Sequence, residues 1–209
     1  MKKFELTTDT KMFLGRKLFR IKALISFGNV KVGDMGGYIE KEENLSQYGN
    51  AWVYGNAWVY GNAEVSGNAE VSGNAKVYGD AEVSGNAWVY GDAEVSGNAW
   101  VYGDAKVSGD AWVSGDAWVY GNAWVYGDAK VSGDADYATA SGFGSEYRTT
   151  TFFKLKNSDE IGVRCGCFYG TLKEFKEKVK ETHGESKKAK EYLMLADLME
   201  YRFSEEKKA

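Results

Sequence analysis

From Gly49 to Ala138 the chain repeats Gly-[Asn/Asp]-Ala-x-Val-[Tyr/Ser] fifteen times without an insertion or deletion; only the last copy, Gly133-Asp134-Ala135-Asp136-Tyr137-Ala138, loses its Val. So short and strict a period makes the middle of the chain nearly one-dimensional, because each unit can touch only its neighbours. In Ala-x-Val-[Tyr/Ser], alternate side chains leave opposite sides of a strand. Ala51 and Val53 therefore point one way, Trp52 and Tyr54 the other. Gly55-Asn56 reads as a turn, since Gly tolerates unusual backbone angles and Asn can hydrogen-bond to nearby backbone. One hexapeptide cannot bury its own Ala and Val. Stacked units bury them continuously, with strands about 4.8 Å apart.

The inward series Val53, Val59, Val65, Val71, Val77 and onward, with Ala51, Ala57, Ala63 and Ala69 at the small inward position, resembles the hexapeptide-repeat, left-handed β-helix family. The resemblance covers residues 49–138 and implies three hexapeptides per triangular coil, hence five coils. Left-handedness also comes from the resemblance; general chirality rules favour right-handed crossovers. The expected fold is mainly β: a left-handed parallel β-helix with an N-terminal β cap over residues 1–48 and a C-terminal ββαα module over residues 139–209.

Open β-helix ends expose unpaired backbone, so both flanks should act as caps. Leu14–Phe27 is rich in strand formers, Gly28-Asn29 suggests a turn, and Gly33-Asp34-Met35-Gly36-Gly37 a second turn cluster. That cluster lacks the Lys and following helix of a phosphate loop. Glu43–Tyr48 reads as a decayed repeat. After the solenoid, Thr149–Lys156 and Ile161–Phe168 read as strands around an Asn157–Glu160 turn. Thr171 and Glu174 have capping-box spacing before a helix through Thr182, with Leu172, Phe175 and Val179 as its apolar stripe. Gly184 can end it, and Ser186 can cap a second helix carrying Tyr192, Leu195, Met199 and Phe203. The tail Ser204–Ala209 is expected to fray.

Charge is unevenly spread. Residues 1–48 carry nine Lys/Arg and six Asp/Glu; residues 49–138 carry three Lys and twelve Asp/Glu; residues 139–209 carry fourteen and twelve. The resulting −9 body repels nucleic-acid backbones, and no apolar run is long enough to span a membrane. Seven of the repeat acids are Asp at the turn position, where local Asx hydrogen bonds are expected. The N-terminus lacks the apolar core of a signal peptide. Cys165 and Cys167 are too close for a disulfide staple. Both features point to a reducing compartment, the cytoplasm, which is the host cell's if the chain is phage-encoded.

The chemistry-bearing residues are few. Cys165, Cys167 and His183 do not make the four ligands of a structural zinc site; the cysteines are expected to share one strand face as small hydrophobes, and His183 to sit at a helix end. Many hexapeptide-repeat proteins are acyltransferases with a catalytic His near acyl-CoA, but residues 49–138 contain no His and no loop insertion. The carbonic anhydrase branch needs three His ligands and the ice-binding branch ranks of outward Thr, both missing here. No catalytic residue, cofactor or metal is expected.

The positions that vary are outward. All seven Trp occupy the x position, and six have a Tyr two residues later. Three units per coil place Trp52, Glu70, Trp88, Lys106 and Trp124 on one face, Trp58, Lys76, Glu94, Trp112 and Lys130 on a second, and Glu64, Glu82, Trp100, Trp118 and Asp136 on a third. Trp100, Tyr102, Trp118 and Tyr120 make the densest block, an expected interface; Trp88, Tyr90, Trp124 and Tyr126 are the next candidates. The family resemblance implies a homo-oligomer, with a trimer favoured, and a host protein is the other expected partner. The front of the chain, Gly15–Leu24 and Gly33–Glu40, with Cys165–Phe168 and Thr171–Phe175 near its end, also resembles hexapeptide-repeat proteins of phages and prophages of Gram-positive bacteria. The expected function is a non-enzymatic binding or assembly protein, a phage accessory factor that engages a host target and could inhibit defence. The alternatives are a nucleotide- or sugar-binding sponge at subunit interfaces and a degenerate acyltransferase.

Overall fold

The computed structural model describes residues 1–144 and 146–204. Three strands, β1 (Phe4–Phe13), β2 (Arg16–Ala23) and β3 (Met35–Ile39), lead into fourteen short strands, β4 to β17, which run from Trp52–Val53 to Lys130–Val131. Four longer strands follow: β18 (Tyr137–Ala140), β19 (Thr150–Lys154), β20 (Ile161–Cys165) and β21 (Phe168–Thr171). Two helices end the described chain, α1 (Leu172–His183) and α2 (Lys187–Phe203).

The short strands build a parallel β-solenoid of about five turns. Each residue pairs with the one eighteen positions later, as in Trp52↔Glu70, Trp88↔Lys106 and Trp100↔Trp118. This register divides the strands among three sheets, one per face. Between coils the backbone ladder is regular: the Trp88 N–H donates to the Ala105 carbonyl at 2.9 Å and the Tyr90 N–H to Val107 at 3.0 Å. Every inward Ala from Ala51 to Ala129 and every inward Val from Val53 to Val131 is fully buried. At roughly 1.5–3 kcal/mol for each buried Val side chain, this column is the principal source of stability.

The turn residues do more than turn. Gly85, at φ +69°, sits so close to the next coil that an added Cβ would lie 2.8 Å from the Gly103 nitrogen. The neighbouring side chains form ladders between coils rather than the expected local Asx bonds. Asn50 donates to Asn68, Asn68 to Asn86 and Asn86 to Asp104, at 3.0–3.1 Å. Asn62 donates likewise to Asp80, Asn74 to Asp92 and Asn98 to Asp116.

The N-terminal end differs from its sequence reading in two respects. The strand-rich stretch is the second arm of a β1–β2 hairpin, with Leu14 and Gly15 at its positive-φ turn, and β1 extends back to Phe4. Gly36 and Gly37 lie in strand β3 rather than in a turn. A Cβ on Gly36 would strike the Ile21 side chain at 2.5 Å, and one on Gly37 the Ala57 carbonyl at 2.6 Å. They are glycine because the cap backbone presses directly on the first coil. Ile39 and Leu45 then take inward positions ahead of Val59 and Val65, which makes Glu43–Tyr48 a decayed repeat in space as well. The offset here is twenty residues instead of eighteen.

The C-terminal end is closed by a four-stranded antiparallel sheet, β18-β19-β20-β21, backed by α1 and α2. The sequence pattern revealed only two of these strands. Tyr137 stands where an inward Val belongs; its ring is buried and its hydroxyl donates to the Trp118 carbonyl at 2.6 Å. Asp134 accepts from the Trp118 N–H, and Thr151 Oγ1 from the Trp124 N–H, each at 2.9 Å. Phe153 joins the solenoid core, while Phe152 packs with Phe175, Val179 and Tyr192 in a second core under the helices. Thr171 and Glu174 form the expected capping box of α1, Gly184 ends that helix, and Ser186 caps α2. The expected fray over residues 205–209 lies outside the described residues.

Candidate interaction surface

The three faces of the solenoid use the same outward aromatics differently. On the first face, Trp52 is almost fully buried although it points away from the solenoid core, because Phe4 and Phe27 of the cap pack edge-on against it at 6.2 and 5.4 Å. Trp88 is exposed and receives the Lys106 ammonium 4.7 Å above its ring, with Tyr90 half-buried beside it. Trp124 and Tyr126 are half-buried under the C-terminal module. The Arg164 guanidinium lies 3.9 Å from the Trp124 ring, Trp124 Nε1 donates to Ser108, and Tyr169 packs edge-on against Tyr126 at 4.8 Å.

On the second face the β1–β2 hairpin covers the aromatics of the first coils. Phe13 meets Trp58 at 4.9 Å, and Tyr60 stacks flat on Tyr78 at 5.0 Å. Burial pushes the Tyr60 phenol up to about 12, helped by the neighbouring Tyr78 and Glu94. Lys76 pairs with Glu94 at 2.9 Å, so the stacked opposite charges close as their register implies. Further along, Trp112 lies under the Lys156 ammonium at 4.0 Å.

The third face carries the four-ring block. Trp100 and Trp118 stack almost in parallel, with centroids 5.1 Å apart and planes 5° apart. Tyr102 and Tyr120 stack beside them at 5.5 Å and 15°. The eighteen-residue register forces this arrangement, since identical side chains on adjacent rungs fall face to face. The block is open: Trp100 is 39% exposed, Trp118 44% and Tyr120 52%; Tyr102 is half-buried. Toward the N-terminus the same column continues into Glu82 and Glu64, both exposed, with their backbones in direct register. Below it, Asp136 pairs with Lys154 at 2.7 Å. Burial alone would raise the Asp136 carboxyl, but hydrogen bonds from Lys154, Ser132 and Gly133 hold it below the usual range.

The sequence-level reading of Cys165 and Cys167 needs a correction. Cys165 ends β20, whereas Cys167 sits with Gly166 in the turn before β21, so the two do not share a strand face. Gly166 takes φ +58°, which lets the strand reverse after Cys165. Both cysteines line a cleft of about 520 Å³ in the C-terminal module, along with Phe168, Phe175, His183 and Tyr192. The Thr150 hydroxyl lies 3.1 Å from Cys165 Sγ, and His183 stacks on Tyr192 at 5.8 Å. This cleft was not foreseen, because it depends on how α1 and α2 pack back over the β20–β21 turn, which no sequence period sets. Among the described residues no group of three or more His, Cys, Asp or Glu could hold a metal ion, and no helix is long and apolar enough to cross a membrane.

The solenoid thus bears surface aromatic clusters consistent with a protein-interaction surface. No protein-family model matches the chain, and no curated protein matches it either.

Proposed function

We propose that this chain is a docking protein that engages another protein through the third face of its solenoid. The observation carrying this reading is the open four-ring block of Trp100, Tyr102, Trp118 and Tyr120. Stacked, mutually braced aromatics lose little conformational freedom on contact, and Trp and Tyr dominate the energetics of protein interfaces. The other candidates differ in availability: Trp88 is open, whereas Trp124 and Tyr126 already hold the C-terminal module. In its finer form the proposal is a non-enzymatic, phage-encoded accessory protein that acts in the host cytoplasm on a host target, such as a defence component. The sequence resemblances to hexapeptide-repeat and phage proteins support that form, and they make a homotrimer the competing use of the same face.

A photo-crosslinking residue at Tyr120 tests the proposal, with Lys130 on the second face as the control position. Adducts at position 120 that are absent from position 130, and lost in Trp100→Ala/Trp118→Ala with circular dichroism unchanged, are expected. Truncation of such anchors commonly costs about 2 kcal/mol or more of association energy. Adducts only between copies of the chain assign the face to self-assembly. Equal adducts at both positions, or retention in the double variant, reduce the rings to surface covering.

A further inference from the structure

Five of the seven solenoid indoles have a partner from elsewhere in the chain on the ring, four of them a cation, although Trp88 and Trp112 stay exposed beneath theirs. Lys11 lies 5.8 Å from the Trp58 ring, Lys106 4.7 Å from Trp88, Lys156 4.0 Å from Trp112 and Arg164 3.9 Å from Trp124. Trp52 instead is sealed by Phe4 and Phe27. Among the described residues, Trp100 and Trp118 have neither a cation nor a cap residue on them; each has the other.

The surroundings of that pair are acidic. The three Lys of the repeats, Lys76, Lys106 and Lys130, all lie on the other two faces. Glu82 is the direct neighbour of Trp100 in the column, and Glu64 is the direct neighbour of Glu82. Like charges opposite one another in a sheet are destabilising. On the second face the corresponding acid, Glu94, is relieved by Lys76 at 2.9 Å. Among the described residues neither Glu64 nor Glu82 has an ion-pair partner. The turn acids Asp80 and Asp116 flank the same face.

We infer that the partner of this face presents an arginine- or lysine-rich extended segment, laid along the column Glu64-Glu82-Trp100-Trp118. This rests on the docking reading above and specifies the chemistry of the partner. Rungs about 4.8 Å apart give this column a length of roughly 14 Å, close to four residues of extended chain. A guanidinium over the free side of Trp100 gains both the ring quadrupole and the Glu82 carboxylate. A second copy presenting the same face sets its own acids against these, and the cation beside its column, Lys154, is already held by Asp136 at 2.7 Å. A nucleic-acid backbone is repelled for the same reason.

The test uses the whole protein and a six-residue peptide of alternating arginine and serine, with its citrulline analogue, titrated calorimetrically at about 150 mM salt. Citrulline keeps the shape and removes the charge. The arginine peptide is expected to bind at least about tenfold more tightly than the analogue, in line with a desolvated cation on an indole. Glu64→Gln/Glu82→Gln and Trp100→Ala/Trp118→Ala should each weaken it by about fivefold or more, while Glu70→Gln on the first face leaves it unchanged. Equal binding of the citrulline peptide, or an equal loss in Glu70→Gln, overturns the inference, since binding then follows shape or total charge. Self-association that strengthens in Glu64→Gln/Glu82→Gln also overturns it, in favour of a second copy. If position 120 still crosslinks to a foreign protein while the peptide fails to bind, docking stands and the cationic partner falls. If both fail, both readings fall.

Discussion

The repetitive body and its two ends solve the same problem with unrelated sequences. In the body each coil satisfies the backbone of the last, and the inward Ala and Val are interchangeable from coil to coil. At the ends the ladder has nowhere to go. The N-terminal end continues it chiefly with backbone, placing β3 beside the coil strands at an altered offset, with Lys3 and Asn44 side chains meeting the carbonyls left over. The C-terminal end stops it chiefly with side chains, Tyr137 and Asp134 on Trp118 and Thr151 on Trp124, beside a single antiparallel bridge between Ala129 and Leu155. Propagation is therefore built from one cheap rule, and termination from individual contacts that no period announces. A repeat position near an end acquires an energetic role that its sequence twin in the middle lacks.

The sharpest way to break the comparison is Val89→Asp, which buries an unpaired charge in the column. The expected loss exceeds about 4 kcal/mol and should abolish the cooperative circular-dichroism melt; a parental melt would disprove the inside and outside of the coil. Next come the twins Trp52 and Trp88, at one position of the hexapeptide on one face. Trp52→Ala should cost about 3–5 kcal/mol, as for a buried indole, and Trp88→Ala less than about 1 kcal/mol, because only the former lies under a cap. Equal shifts in melting temperature would erase the distinction between end and middle.

Lys3 gives the N-terminal end a pH signature. Its side chain is buried, its ammonium donates to the Ala51 carbonyl at 2.9 Å, and burial lowers its pKa from 10.5 to about 8. Between those values the unfolded chain binds more protons than the folded one, so stability should rise with pH. The penalty is full below about pH 8 and is relieved toward 10.5. A gain of about 1–3 kcal/mol is expected in that window, best measured by denaturant titration from about pH 7.5 to 9.5, before the tyrosines ionise. Lys3→Met should flatten the profile; an unchanged slope would assign the effect elsewhere. Tyr137→Phe keeps the ring in the core but removes its bond to Trp118, for an expected loss of about 1–2 kcal/mol at the C-terminal end. His183→Ala, at the end of α1, should move stability by less than about 0.5 kcal/mol and leave oligomeric state and binding unaltered.

The inside and outside of the body were legible in the sequence because every inward Ala and Val repeats the same statement, while the three-unit coil that sets Trp100 on Trp118 was implied by the family resemblance and is matched by the eighteen-residue register. Strand β1 was missed because Phe4–Phe13 alternates apolar residues only weakly. Gly36 and Gly37 looked like a turn because composition cannot distinguish a glycine needed for its dihedral freedom from one needed for its missing Cβ. Strand β21 was merged with its neighbour because Gly166-Cys167 lacks a strong turn signature. At the candidate surface the rings were legible, but their differing exposure was not. Whether Trp124 is covered depends on Arg164, forty residues away in another element.

The turn ladders have a consequence for how anything approaches this molecule. An Asn amide can pass a hydrogen bond from one coil to the next, whereas a carboxylate can only receive one. The five turn residues before Gly79 are all Asn, and the seven Asp turns, from Asp80 to Asp134, all lie beyond it. The solenoid is thus an acidic body held between a basic cap and a C-terminal module that is itself slightly basic, with its turn carboxylates gathered along the later coils. Such a body draws an incoming cation to its coils, and away from its two ends, before the surfaces touch. Those coils hold Trp100 through Tyr120, so encounter is steered toward the open rings, and its rate should fall as salt shortens the reach of the field.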